Sequence, residues 1–157
     1  MSMKQATISH VPSFLHLSNP IVKRLVQLGF KLGPTSMILL TVYGRKTGQP
    51  HTTPVGLFTV AGRRYVFSTF GEVNWVRNLR SNKNVVIAHG RHTEALSAIE
   101  LSPEAAAPVL EEASAPLMTL LPLRLLAQSW YGLKPGATHA DYINAARHHP
   151  VFELIAA

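Results

Sequence analysis

The sequence predicts an α+β fold in which an antiparallel sheet or small barrel of about six strands is flanked by helices at the chain's two ends, with one short helix in the middle. Three observations predict it. Short β-branched and apolar runs follow one another through residues 37–101, joined mainly by hairpin turns. Helical spacing is confined to residues 18–32, 74–80 and the last third of the chain. Finally, 157 residues with 46% hydrophobic and 15% charged content suit one globular domain with a real core. The alternating strand–helix order of a doubly wound nucleotide-binding fold is absent, as are Gly-x-Gly-x-x-Gly and a Walker loop.

Residues 1–17 read as irregular. Ser18-Asn19-Pro20 then places a capping residue before a proline at the first helical position. Ile21, Leu25, Leu28 and Leu32 follow at helical spacing, with Lys23, Arg24, Gln27 and Lys31 on other faces. This predicts an amphipathic, basic helix that ends at Gly33-Pro34. Its commoner use is packing on its own domain; the other is peripheral contact of residues 19–32 with an anionic bilayer. Residues 1–34 thus form an N-terminal extension, and residues 35–157 the barrel domain with its C-terminal helices.

Strands are predicted at 37–42, 52–60 and 65–69, with Gly62 marking a turn. A short helix follows at 74–80, stopped by Ser81-Asn82. Residues 85–89 and 93–101 form a hairpin around Gly90-Arg91, where glycine at the first turn position suits a type II′ turn. Ser102 caps a helix running from Pro103 to about Ala113. Pro116 and Pro122 punctuate an apolar segment, and residues 137–147 form a last helix.

Composition removes several chemistries. With no cysteine there is no disulfide, thiolate metal site or cysteine nucleophile. No run approaches the ~18 apolar residues of a membrane span. The first residues lack the apolar core of a secretory signal, so a cytoplasmic protein is expected, with membrane association at the inner face as the variant reading. Fifteen Lys and Arg against eight acids favour an anionic ligand. Nucleic acid is not expected, since no basic run interleaves with aromatics.

Residues 44–51 read Gly-Arg-Lys-Thr-Gly-Gln-Pro-His between two strands. Gly44 and Gly48 allow a tight turn and close backbone approach. Arg45 offers a planar fork of donors and Lys46 a mobile charge, which together suit phosphate or carboxylate. Taken alone, the loop reads equally well as an exposed basic turn. About twenty residues on, Ser68, Thr69, Phe70 and Gly71 end a strand and open a helix, where backbone N–H groups can meet an anion. Trp75, one turn into that helix, either covers a flat ring or packs in the core, and core is the commoner fate.

This order of features resembles the deazaflavin-dependent nitroreductase family: the basic loop, Thr53-Pro54-Val55, residues 68–71, then Trp75-Val76-Arg77-Asn78-Leu79. The resemblance covers about residues 36–101, with a looser echo in His149-Pro150-Val151-Phe152-Glu153-Leu154. It implies an antiparallel split β-barrel related to flavin-reductase-like barrels, and reduced coenzyme F420, an 8-hydroxy-5-deazaflavin, as hydride donor. By position it implies that Arg45, Lys46, Thr47 and Gly48 meet the coenzyme's phosphate side. Gln49, Pro50, His51, Thr53, Pro54 and Val55 would lie along the ribityl chain and ring. Ser68, Thr69, Phe70, Gly71, Asn74 and Trp75 would close the pocket from the other side. Two departures lower its positive charge: His51 stands where many members have a second arginine, and Thr69 where some have lysine.

In such a site the hydride chemistry belongs to the cofactor, so no catalytic triad is needed, and none is visible. Tyr131, Tyr142 and Ser68 are the candidate proton donors or substrate orienters, with Tyr43 behind them. For each tyrosine taken singly, half-buried packing is the plainer role. His89 and His92 face each other across a hairpin, too few ligands for a metal site. The first reading is therefore an F420H2-dependent oxidoreductase acting on a small, hydrophobic, electron-poor acceptor such as a quinone, an enone or, incidentally, a nitro compound. The apolar segment 117–126 would help wall the acceptor site. The alternative is a non-catalytic binding protein for deazaflavin, flavin or haem, with flavin mononucleotide as redox cofactor a third option. The molecule would act as a monomer or homodimer.

Overall fold

The computed structural model describes residues 31–32, 35–115, 122, 125, 128–129, 131–134 and 136–157. Among these, the strands are β1 (Lys31–Leu32), β2 (Thr35–Tyr43), β3 (Pro50–Val60), β4 (Arg63–Phe67), β5 (Asn84–His89), β6 (His92–Glu100) and β7 (Val151–Ala156). The helices are α1 (Asn74–Ser81) between β4 and β5, and α2 (Pro103–Ser114) and α3 (His139–His148) between β6 and β7.

Every pairing is antiparallel, in the order β1-β2-β3-β4-β7-β6-β5, and β2 also pairs with β5. That last pairing closes six strands, β2 to β7, into a barrel. Alternation explains what fills it. Ile38, Leu40 and Val42 of β2 point inward with Val55, Val66, Val85, Ile87, Leu96, Ala98, Phe152 and Leu154. Val76 and Leu79 of α1 join the same cluster, so α1 plugs the barrel. A second cluster lies outside the barrel wall, where α2 and α3 pack through Ala106, Ala107, Leu110, Tyr142, Ala145 and Ala146 on Tyr65 and Val151. This is the split-barrel α+β architecture that the sequence predicts.

Four local differences have physical reasons. The strand predicted at 65–69 ends at Phe67, because Ser68 and Thr69 turn away into a loop. The last helix starts at His139, since Thr138 is its N-cap: the Thr138 hydroxyl accepts from Asp141 N–H and the Asp141 carboxylate accepts from Thr138 N–H. Lys31 and Leu32, predicted to end a helix, pair as β1 with Ser36 and Thr35. The unforeseen β7 sits between β4 and β6, where it completes the barrel. The remainder of the predicted N-terminal helix, and with it the membrane-contact surface, lies outside the described residues, as does most of the apolar segment 117–126. Among the described residues no helix is long and apolar enough to cross a membrane.

Candidate functional site

The basic loop connects paired residues Tyr43 and Pro50, and internal hydrogen bonds fix its shape. Gly44 N–H donates to the Gln49 carbonyl at 2.8 Å, and Gly48 N–H to the Gly44 carbonyl at 2.8 Å. Gln49 N–H donates to the Thr47 hydroxyl oxygen at 3.3 Å. Gly48 stands at φ 69, the left-handed region that favours glycine. A Cβ on Gly44 would lie 3.0 Å from Thr47 Oγ1 and 3.1 Å from His51 Nε2, tight contacts that those two side chains would have to yield to. Arg45, Lys46, Thr47, Gly48, Gln49, Pro50 and His51 are all exposed.

What joins this loop to the rest of the site is Asn78. Its side-chain oxygen accepts from Arg45 N–H at 3.2 Å and from Arg45 Nη1 at 2.8 Å, and the residue is only 6% exposed. Arg45 is thereby drawn onto α1, the helix that begins with Asn74 and Trp75. Asn74 is exposed, and half-buried Trp75 leans on Phe152 with ring centroids 5.9 Å apart. Val73 precedes α1 without a side-chain cap; the Val76 and Arg77 N–H groups donate to its carbonyl at 3.1 and 3.2 Å, which leaves those of Asn74 and Trp75 for water or an anion.

The loop at 68–71 is held from several sides. Ser68 N–H donates to the Pro150 carbonyl at 3.0 Å, and the Ser68 carbonyl accepts from His149 Nδ1 at 3.0 Å. That bond requires the proton on Nδ1. Burial lowers the imidazole's proton affinity, outweighing the opposing effect of the Ser68 carbonyl, and so favours the neutral ring. The Ser68 hydroxyl is buried and donates to the Gly71 carbonyl at 2.5 Å. Its proton is therefore committed to shaping the loop. Gly71, at φ 77, completes the turn. Arg80 then clamps the entrance to α1, bonding Glu72 at 2.7 Å and Glu100 at 2.9 and 2.7 Å.

Of the candidate tyrosines, Tyr131 comes to this loop: its oxygen lies 2.7 Å from Thr69 Oγ1. Its ring meets His149 at 4.6 Å and, edge-on, Phe67 at 5.7 Å; Phe67 in turn stacks on Phe58 at 4.4 Å. Burial pushes the Tyr131 hydroxyl well above the ordinary phenol range. Tyr142 is instead buried among the residues of the α2–α3 layer. Thr53 and Pro54 are half-buried on β3, while the Val55 side chain turns into the barrel core. Tyr43 ends β2 beside the basic loop, half-buried, as is Phe70 in the opposite loop.

Sequence reasoning passed over Asn78, His149 and Arg80 as site residues. An amide between Val76 and Leu79 on the buried face of a short helix was the available signal for Asn78. His149 and Arg80 act across 81 and 20 residues of chain and left no local one.

A family profile described as F420H(2)-dependent quinone reductase matches residues 19–115, more than half of the chain. No curated protein matches the sequence. Among solved structures, a protein of unknown function from Agrobacterium tumefaciens is similar at 16% identity and TM-score 0.52, over 96% of this chain and 57% of that one. The General Stress Protein 26 from Bacillus anthracis is similar at 11% identity and TM-score 0.50, over 82% and 84%. Both likenesses concern the fold alone. An F420-H2 dependent reductase, FDR-A, is similar at 23% identity and TM-score 0.43, over 78% and 94%.

Proposed function

This chain belongs to the F420H(2)-dependent quinone reductase family, and from that premise we propose that it reduces a small hydrophobic quinone or enone at the cleft between the basic loop and residues 68–71. The enzyme is a reductase that uses coenzyme F420. The observation that carries the siting is the pair of hydrogen bonds that Arg45 donates to Asn78, which brings the phosphate-suited loop onto the helix that follows residues 68–71.

The residues present fit an anionic, flat-ringed coenzyme. Arg45 and Lys46 would hold its phosphate, with the Thr47 hydroxyl and the backbone at Gly48 beside them. Gln49, Pro50, His51, Thr53 and Pro54 follow along one strand for the chain and ring. Val55, whose side chain faces the core, would contribute backbone only. Thr69, Phe70, Gly71, Asn74 and Trp75 would close the opposite side, and buried Ser68 supports them through Gly71.

When bound, the coenzyme supplies the hydride, and the protein's part is placement, exclusion of water and handling of one proton. Between Tyr131's two candidate roles, its chemistry favours orienter. A hydroxyl that burial makes less acidic stays protonated at working pH and donates a hydrogen bond, but yields its proton poorly. The acceptor carbonyl would thus be aligned by Tyr131, itself fixed by Thr69, and its proton drawn from water.

Absorbance and tryptophan-fluorescence titrations with oxidised coenzyme F420, flavin mononucleotide and haem test the reading. Micromolar binding of the deazaflavin, weakened in an Arg45→Ala/Lys46→Ala variant, is expected; no binding would sink it. Stopped-flow oxidation of bound reduced coenzyme by a quinone panel then identifies the acceptor class. If Tyr131 orients, Tyr131→Phe slows that oxidation without changing coenzyme affinity.

A further inference from the structure

The barrel has a second end. From Tyr43, beside the basic loop, β2 runs back to Ser36 over roughly 24 Å at about 3.4 Å per residue. At that end lies a half-enclosed cavity of about 160 Å³, remote from the coenzyme loop. Its floor is apolar: Ile38, Leu57 and Ile87. Its rim is polar, and the residues in it sit where alternation calls for interior side chains. Arg64 lies two residues from Val66 on β4, His89 two from Ile87 on β5, and Glu94 two from Leu96 on β6. A barrel interior filled elsewhere by Val, Ile and Leu thus ends in a charged and hydrogen-bonding layer.

The rim is short of acceptors. Arg64 spends two of its N–H groups on Glu94, at 2.7 and 3.0 Å, and a guanidinium has five. That pairing occupies both Glu94 oxygens and holds the carboxyl below its usual range. Ser36 adds a hydroxyl, and His92 a second ring across the hairpin from His89. Most telling, the His89 Nε2 atom is enclosed and has no hydrogen-bond partner among the described residues. Buried polar atoms are almost always satisfied, so an orphaned one on a residue that lines a cavity points to a missing partner, which a turn of the ring toward the cavity would supply. A metal does not fit: among the described residues no three His, Asp or Glu side chains converge.

We propose that this mouth is a second binding site, specific for a small carboxylate with an apolar body. The carboxylate accepts from Arg64 N–H groups not used by Glu94 and, as the imidazole turns to meet it, from His89 Nε2–H, while the body rests on Ile38, Leu57 and Ile87. The size limits the class, since about 160 Å³ is below the ~300 Å³ at which drug-sized ligands begin to fit. One ring or a short branched chain fills it. The site stands on residues that the coenzyme cleft does not use, so it holds or fails independently of the reductase reading.

Benzoate is a suitable probe, with benzyl alcohol as the uncharged comparison. In the full chain labelled with ¹⁵N-histidine, benzoate is expected to shift the His89 Nε2 resonance saturably, and benzyl alcohol to shift it little. His89→Phe keeps a ring but removes the N–H and should abolish saturable benzoate binding measured by calorimetry; Arg64→Met should weaken it at least tenfold. Near-ultraviolet circular dichroism reports whether each variant keeps its fold, and the wild-type titration decides alone if one does not. The site is refuted if benzoate leaves His89 unmoved up to tens of millimolar, if benzyl alcohol shifts it equally, or if folded His89→Phe binds benzoate as wild type does.

Discussion

At the scale of single residues, one amide oxygen couples the basic loop to α1. Asn78 Oδ1 fixes both the backbone and the guanidinium of Arg45, so the cation is positioned before any ligand arrives. Asn78→Ala should weaken coenzyme binding about fivefold to thirtyfold, the value of ~1–2 kcal/mol for a charge-assisted bond. Unchanged affinity in the titration would show that Arg45 needs no such support. His149 makes a different prediction, about pH. Its folded-state proton affinity is lowered by burial, so the unfolded chain, near the ordinary value of about 6.5, binds the proton more readily. Stability from this group is complete above that value and is lost as pH falls through it toward the lower folded value, at no more than ~1.4 kcal/mol per pH unit. The carboxylates held low by partners, Glu72, Glu94 and Asp141, contribute stability above their ordinary values of 4.5 and 3.8, and lose it in that lower window. Melting temperatures measured from pH 8 to 5 should therefore decline in wild type and flatten in His149→Gln. Parallel curves would mean that other groups set the decline. Arg45 and Lys46 were legible in the sequence because cations beside two glycines carry their chemistry in adjacent positions. Asn78 and His149 acquire theirs only from residues brought close by folding.

Secondary-structure elements show the same division between local and non-local information. The hairpins formed as predicted because their signals are local: alternating β-branched runs and glycines at positive φ, such as Gly62 and Gly90. Strand β7 was missed because its signal is not local. Val151, Phe152 and Leu154 are all buried, so no clean alternation marks the strand, and its partners are β4 and β6. The β3–β4 turn was foreseen only in part. Val60 pairs with Arg63 around Ala61 and Gly62, which stand at φ 50 and φ 76. Two positive values in a two-residue loop define a type I′ turn, whose first position favours asparagine and strains alanine. Ala61→Asn should relieve about 1 kcal/mol of left-handed strain and raise Tm by about 2–4 °C, with coenzyme affinity unchanged. A lowered Tm would mean that the turn is not limited by this strain.

For the whole molecule, the distribution of charge says more than its total. Up to Gly71 the chain holds eight Lys and Arg and no acid; from Glu72 onward it holds seven and eight, so the entire excess lies in the first part. Four of the acids are taken up in ion pairs on barrel strands and beside α1: Glu72 and Glu100 with Arg80, Glu94 with Arg64, and Glu153 with Arg63. Three more, Glu104, Glu111 and Glu112, sit on α2, and Asp141 caps α3. The basic loop thus has no carboxylate of its own to neutralise it, which offsets the weaker cation His51 and the uncharged Thr69. A field of this kind raises local anion concentration and is screened over the ~10 Å Debye length of 0.1 M salt. Coenzyme F420, whose phosphate and polyglutamate tail are anionic, should therefore bind several-fold more weakly as salt rises from about 0.02 to 0.3 M, through slower association more than faster release. The Arg45→Ala/Lys46→Ala variant should flatten the slope of log Kd against log salt. If wild type and variant share one slope, the phosphate is not held by this loop. A steep slope in wild type that survives in the variant would assign the attraction to the remaining Lys and Arg of the first 71 residues, with the loop contributing shape alone.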